Sequence, residues 1–297
     1  MSIIGHQKII KYLDKSIKKN AISHAYIFSG PAHLGKFSLA LEFAKKITGG
    51  MDDKKINPDI IIISPEIEEK DGKIKKKDIK IEKIRELERE LSLSAYFGKH
   101  KVVIIDEADR LSRASQNALL KTLEEPPQKA VMILIVENIN NIIATVKSRC
   151  VIKKFNLVKD EEISAIILEK NTVEDLKFWS FNRPGLAINL QKEKDELERR
   201  KKSQDNLGKI ISTDLSESFL FFENLSKDSS QIIDELNFWV VLLRKNILED
   251  FSFFQLDRKK SLALILNIEK SLEIISQTNS NPRLVLENLA LEIHPME

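Results

Sequence analysis

A short apolar run, Ala25-Tyr26-Ile27-Phe28-Ser29, passes directly into Gly30-Pro31-Ala32-His33-Leu34-Gly35-Lys36 and then into a helical pattern. Strand, glycine-framed loop and helix in that order constrain the fold more than any other feature of the 297 residues. Such a loop turns its backbone N–H groups toward an anion at a helix N-terminus, and its lysine reaches the outer phosphates. The next position ordinarily carries a Ser or Thr whose hydroxyl ligates Mg²⁺. Here it is Phe37, whose ring cannot coordinate a metal. Ser38 comes one residue late, turned by about 100° around the helix. The loop is complete up to Lys36 and defective beyond it.

A second apolar run, Val102-Val103-Ile104-Ile105, ends in Asp106-Glu107 about 70 residues after the loop. Four β-formers running into two acids place both carboxylates at the C-terminal edge of a buried strand, where doubly wound sheets bind ligands. In a hydrolytic site Asp106 would hold Mg²⁺ and Glu107 would polarise the attacking water. The two signals together predict a P-loop nucleotide fold, with Gly30, Gly35, Lys36, Asp106 and Glu107 as its nucleotide-binding residues.

Up to about residue 155, β-rich runs alternate with helical periodicity, which argues for a parallel sheet wrapped by helices. Strands are expected at Ala25–Ser29, Asp59–Ile63, Lys101–Ile105, Val131–Val136 and Val151–Phe155. A helix should open at Ser112 and stop before Pro126-Pro127. The segment Pro65 to Asp78, centred on Asp71-Gly72, reads as an exposed hairpin or loop without chemistry. Beyond residue 156 the strand signals vanish. A small helical unit, interrupted at Asn182-Arg183-Pro184-Gly185, precedes long amphipathic helices, and the polar stretch Lys192 to Lys209 reads as a linker. Trp179 and Trp239 fall within apolar helical patterns and are expected to pack in cores.

A formal net charge of +3, with 31% charged and 42% hydrophobic residues, describes an ordinary soluble chain rather than a polybasic nucleic-acid coat. Cys150 is the single cysteine, which excludes an intrachain disulfide and a cysteine-built zinc site and suits a reducing cytosol. Its simplest role is that of a small residue starting the last strand, and His24 and His33 likewise read as structural. The longest apolar run, Ala130 to Val136, is far short of the roughly 18 residues that span a bilayer. A cytoplasmic protein with no membrane insertion is expected.

A third signal is Asn117-Ala118-Leu119-Leu120-Lys121-Thr122-Leu123-Glu124-Glu125-Pro126-Pro127, followed by a strand and then by Ala144-Thr145-Val146-Lys147-Ser148-Arg149-Cys150. With Gly5-His6-Gln7, His24-Ala25-Tyr26-Ile27-Phe28, Ile81-Glu82-Lys83-Ile84-Arg85 and Arg183-Pro184-Gly185, these segments resemble the clamp-loader branch of the AAA+ ATPases. Within that branch they are similar to the delta-prime subunits of bacterial DNA polymerase III. The resemblance covers about residues 1–190 in continuous order.

It implies three parts: an AAA+ P-loop module over 1–156, a helical lid over 157–203 and a helical collar for oligomerisation over 204–297. It implies that Arg149 is an arginine finger reaching the ATP of a neighbouring subunit, where a planar, permanently charged fork neutralises developing phosphoryl charge. It also marks departures from a hydrolysing member. Phe37 makes the Walker A loop degenerate, Val136 stands where a polar γ-phosphate sensor is usual, and Gly185 stands where active members carry a lid arginine. No cysteine lies in Gly49 to Pro58, so the zinc module of many relatives is not expected.

The implied role is that of a largely non-hydrolysing stator in the replicative polymerase holoenzyme. It would act with ATPase motor subunits and a clamp-opening subunit to load the sliding clamp on primed DNA. Retained Lys36, Asp106 and Glu107 leave ATP binding with Mg²⁺ open at its own site. They also leave open the other reading, a motor-type subunit that hydrolyses ATP itself.

Overall fold

The computed structural model describes residues 3–49, 57–70, 73–97, 99–167, 173–227, 229–248, 254, 256–278 and 280–294. The chain forms two compact units, 1–192 and 193–297.

The first unit is built on five parallel strands: β1 (Ala25–Ser29), β2 (Ile60–Ile63), β5 (Lys101–Ile105), β6 (Ala130–Val136) and β7 (Val151–Lys154). Their order across the sheet is β2-β5-β6-β1-β7. All seven residues of β6 and all five of β1 are buried, as strands covered on both faces must be. Period-2 alternation sorts the side chains into two cores. Ala25, Ile27, Val103, Ile105, Met132 and Leu134 face one way, with Ile84, Leu87, Leu119, Leu123 and Val146 against them. Those five come from α3 (Ile81–Ser92), α4 (Arg113–Glu124) and α5 (Ala144–Lys147). Tyr26, Phe28, Val102, Ile104, Val131 and Ile133 face the other way, with Leu13, Leu39, Ala40 and Phe43. Those come from α1 (Gln7–Lys18) and α2 (Lys36–Thr48).

The expected signals at α4 act as predicted. Ser112 Oγ accepts from Ser115 N at 3.1 Å as the N-cap, and the helix ends at Glu124, just before the proline pair. The expected hairpin is β3 (Ile67–Lys70) with β4 (Lys73–Lys76), and its Asp71-Gly72 tip lies outside the described residues. Most of the stretch Gly49 to Pro58, read as lacking a zinc module, also lies outside them.

Three helices complete this unit: α6 (Asp160–Ser164), α7 (Val173–Ser180) and α8 (Pro184–Lys192). Phe181 and Asn182 adopt positive φ, +48° and +59°, and so break the chain between α7 and α8. Trp179 is buried on α7.

The second unit consists of α9 (Lys194–Ser212), α10 (Leu215–Leu225), α11 (Ser229–Leu248), α12 (Arg258–Gln277) and α13 (Pro282–Ile293). Trp239, Phe222, Leu236, Leu243, Ile268 and Leu286 form its dry centre. The stretch Lys192 to Lys209, read as a linker, is instead largely α9. Its polar residues cover a helix whose Leu197, Leu207 and Ile210 are buried. A division after residue 203 would cut that helix, whereas the compact units part at Lys192. Among the described residues no helix is long and apolar enough to cross a membrane.

Candidate functional site

Each glycine of the loop has its own reason to be glycine. Gly30 donates its N–H to Val136 O at 3.2 Å, and a Cβ there would lie 2.3 Å from Phe155 O. Gly35 has φ +79°, and the space its Cβ would occupy is open, so a ligand can approach its backbone. Lys36 opens α2 and is 6% exposed. Its ammonium folds back on the loop, donating to Gly30 O at 2.5 Å and Pro31 O at 2.6 Å. Burial holds its pKa below the ordinary lysine value, and the nearby Glu137, Asp106 and Asp109 oppose that shift.

Asp106 and Glu107 leave the end of β5 at the same edge of the sheet. Asp106 Oδ1 accepts from the N–H of Glu107 at 3.1 Å, and burial raises the Asp106 carboxyl above the usual range. Glu107 sits in the left-handed region, φ +48°, which turns its side chain out of the strand direction. One carboxylate oxygen pairs with Lys76 Nζ, and the other accepts from Arg110 Nε at 3.0 Å. Loop, strand ends and the start of α8 enclose a cavity of about 400 Å³, lined among others by Gly35, Lys36, Phe37, Asp106, Glu107 and Val136. The five residues expected to form a nucleotide site are thus brought together, with Gly30 behind the cavity wall.

Lys76 and Glu137 also line this cavity. Glu137 directly follows the expected sensor position, so adjacency could have found it. The hairpin, read as carrying no chemistry, delivers Lys76 to the site, and no local pattern marks that lysine.

A phosphate group fits this cradle, but Mg²⁺ does not. Position 37 offers a ring that packs partly against the core, and Glu107 is already paired with two cations. Val136, fully buried at the end of β6, offers the cavity no donor. Gly185 N donates to His33 O at 2.8 Å, so the lid helix touches the loop backbone directly.

Arg149 is elsewhere. It precedes β7, which runs parallel to β1 with Tyr26 opposite Val151 and Ser29 opposite Lys154. The loop leaves the C-terminal end of β1, so Arg149 and the loop lie at opposite edges of the sheet. Its guanidinium is 34% exposed and pairs with Glu124 Oε1 at 2.7 Å, while Nη1 donates to Thr145 O at 2.9 Å. Cys150 beside it is half-buried, and burial pushes its thiol up to about 12.

Residues 5–159 match the family described as DNA polymerase III, delta subunit. Over 169 residues the chain is 34% identical to the DNA polymerase III subunit gamma of Buchnera aphidicola subsp. Schizaphis graminum, covering 54% of this chain and 46% of that one. Over 178 residues it is 31% identical to the subunit delta' of Bacillus subtilis, covering 55% and 51%. Its matches thus span about half the length of these relatives. A crystal structure of a gamma-subunit-related protein from Thermotoga maritima superposes with a TM-score of 0.60 at 20% identity, over 95% of this chain and 98% of that one. That likeness bears on the fold alone, and the fold is an AAA+ P-loop module followed by helices. With a family match across more than half its length, the chain belongs to the DNA polymerase III delta-subunit family, among the clamp-loader subunits of that polymerase.

Proposed function

We propose that the chain is a largely non-hydrolysing, delta-prime-type subunit of a cytoplasmic clamp loader, and that it donates Arg149 to the ATP site of a neighbouring subunit. The observation that carries this reading is the placement of Arg149 at the edge of the sheet opposite its own phosphate loop. Some five residues of strand at about 3.3 Å each put on the order of 15 Å of sheet between them. An arginine so placed and partly exposed is out of reach of its own site and available to another. Phe37, Val136 and Gly185 support the loss of hydrolysis at the chain's own loop. Its partners would be ATPase motor subunits and a clamp-opening subunit, acting on a sliding clamp and primed DNA.

The reconstituted complex tests this. Arg149→Ala should leave assembly unchanged and lower the clamp- and DNA-stimulated ATPase by 10³-fold or more, the scale of arginine-finger effects in related phosphoryl transfers. An ATPase equal to that of the unaltered complex would overturn it.

A second reading, a motor-type subunit that hydrolyses ATP itself, draws on one observation. The gamma relative is as similar to this chain as the delta' relative, 34% against 31%. Turnover of ATP by the purified chain, abolished by Lys36→Ala, would establish that reading.

A further inference from the structure

The disagreement between this site and Mg²⁺ has a positive side. A metal-using loop brings two charges to the phosphates through a hydroxyl and an acid. Here the hydroxyl is missing at Phe37, and a lysine from another part of the chain has entered the cavity.

Lys76 ends β4, and that end of the hairpin is tied down. Lys77 N donates to Glu66 O at 2.8 Å, and Arg110 Nη1 donates to Lys76 O at 3.4 Å. Lys83 pairs with Glu66 at 3.1 Å. From this anchored strand Lys76 reaches Glu107, while Lys36 lies near Asp106. Each carboxylate that would repel an incoming anion is therefore faced by a cation. A divalent ion would have to displace Lys76 from Glu107 and would still find no hydroxyl at position 37.

We propose that this cavity binds the polyphosphate chain of a nucleotide without Mg²⁺, with Lys76 supplying the positive charge the metal would otherwise bring. The cavity of about 400 Å³ falls within the size range of small-ligand sites. In solution Mg²⁺ cancels part of the triphosphate charge that Lys76 reads, so the metal weakens binding rather than supporting it. The inference rests on the reading of this site as a nucleotide-type site that does not hydrolyse.

Isothermal titration of the full chain with ATP, once in EDTA and once in excess MgCl₂, tests it. Binding should be at least as tight in EDTA. Lys76→Gln should weaken it there by about ten- to hundredfold, the scale of one charge-assisted hydrogen bond. The thermal midpoint should not move, because the Lys76 side chain is 44% exposed. Tighter binding in MgCl₂, indifference to Lys76→Gln, or no binding in either buffer would each overturn the inference. If Arg149→Ala still lowered the ATPase of the complex, such a failure would remove only the metal-free site and leave the donor role standing.

Discussion

The backbone N–H of Gly185 donates to the carbonyl oxygen of His33 at 2.8 Å, fastening the first turn of a lid helix to the phosphate loop. This satisfies one of the donors that every helix start leaves open. It also explains why the residue is glycine, since a Cβ there would lie 2.8 Å from His33 O and 3.3 Å from its Cα. Gly185→Arg, which installs the lid arginine of hydrolysing relatives, should therefore cost about 1–3 kcal/mol through overpacking and bring no ATP turnover. Urea unfolding checks the first half, and a phosphate-release assay on the purified chain checks the second. An unchanged midpoint would mean that the loop gives way freely.

Gln116, buried in α4, holds three backbone groups at once. Its amide Nε2 donates to Leu111 O at 3.1 Å and Asn141 O at 3.0 Å, and its Oε1 accepts from Ile143 N at 2.9 Å. One side chain thus joins the segment after Glu107 to the segment leading to Arg149. Gln116→Leu keeps the volume roughly constant and strands these groups, so a loss on the order of 3 kcal/mol is expected in denaturant unfolding of the first unit. A loss below about 0.5 kcal/mol, the range of neutral surface changes, would contradict the bridging role.

Cys150 makes a pH-dependent prediction. Burial moves its thiol from 9.0 to about 12 in the folded chain, so the unfolded chain ionises first as pH rises. The contribution is fully present below pH 9 and is lost as pH climbs from there toward about 12. Stability measured between pH 8 and 11 should therefore fall more steeply for the natural chain than for Cys150→Ala. In addition, a thiol reagent at pH 8 should modify the unfolded chain much faster than the folded one.

Strands and caps were legible because their causes are local. Lys101–Ile105 and Ala25–Ser29 are runs that only a doubly covered strand would bury, and Ser112 followed by helical spacing names its own cap. The polar stretch after Lys192 misled because composition hides periodicity: Leu197, Leu207 and Ile210 are too sparse to stand out among charges, yet they suffice to seat α9. At the site, adjacency carried Lys36, Asp106 and Glu107 into view. Lys76 was invisible for a physical reason. It meets Glu107 across 31 residues through a hairpin whose placement only the folded chain determines. The Glu124 partner of Arg149, 25 residues away, was hidden in the same way.

That last pair permits a separation of stability from function. Arg149 and Glu124 are 34% and 52% exposed, and ion pairs so exposed contribute about 0–1 kcal/mol. Arg149→Lys keeps the charge at the sheet edge, so the chain should unfold within about 1 kcal/mol of the original. What lysine lacks is the planar fork that grips two oxygens at once. If Arg149 serves a neighbour's phosphates by geometry, the lysine variant should assemble normally and recover only a minor part of the stimulated ATPase lost in Arg149→Ala. Glu124→Gln leaves the fork and its bond to Thr145 O in place, so it should change that ATPase by no more than a few fold. Full activity in Arg149→Lys would reduce the residue to a point charge, and a large loss in Glu124→Gln would make the ion pair itself the functional unit.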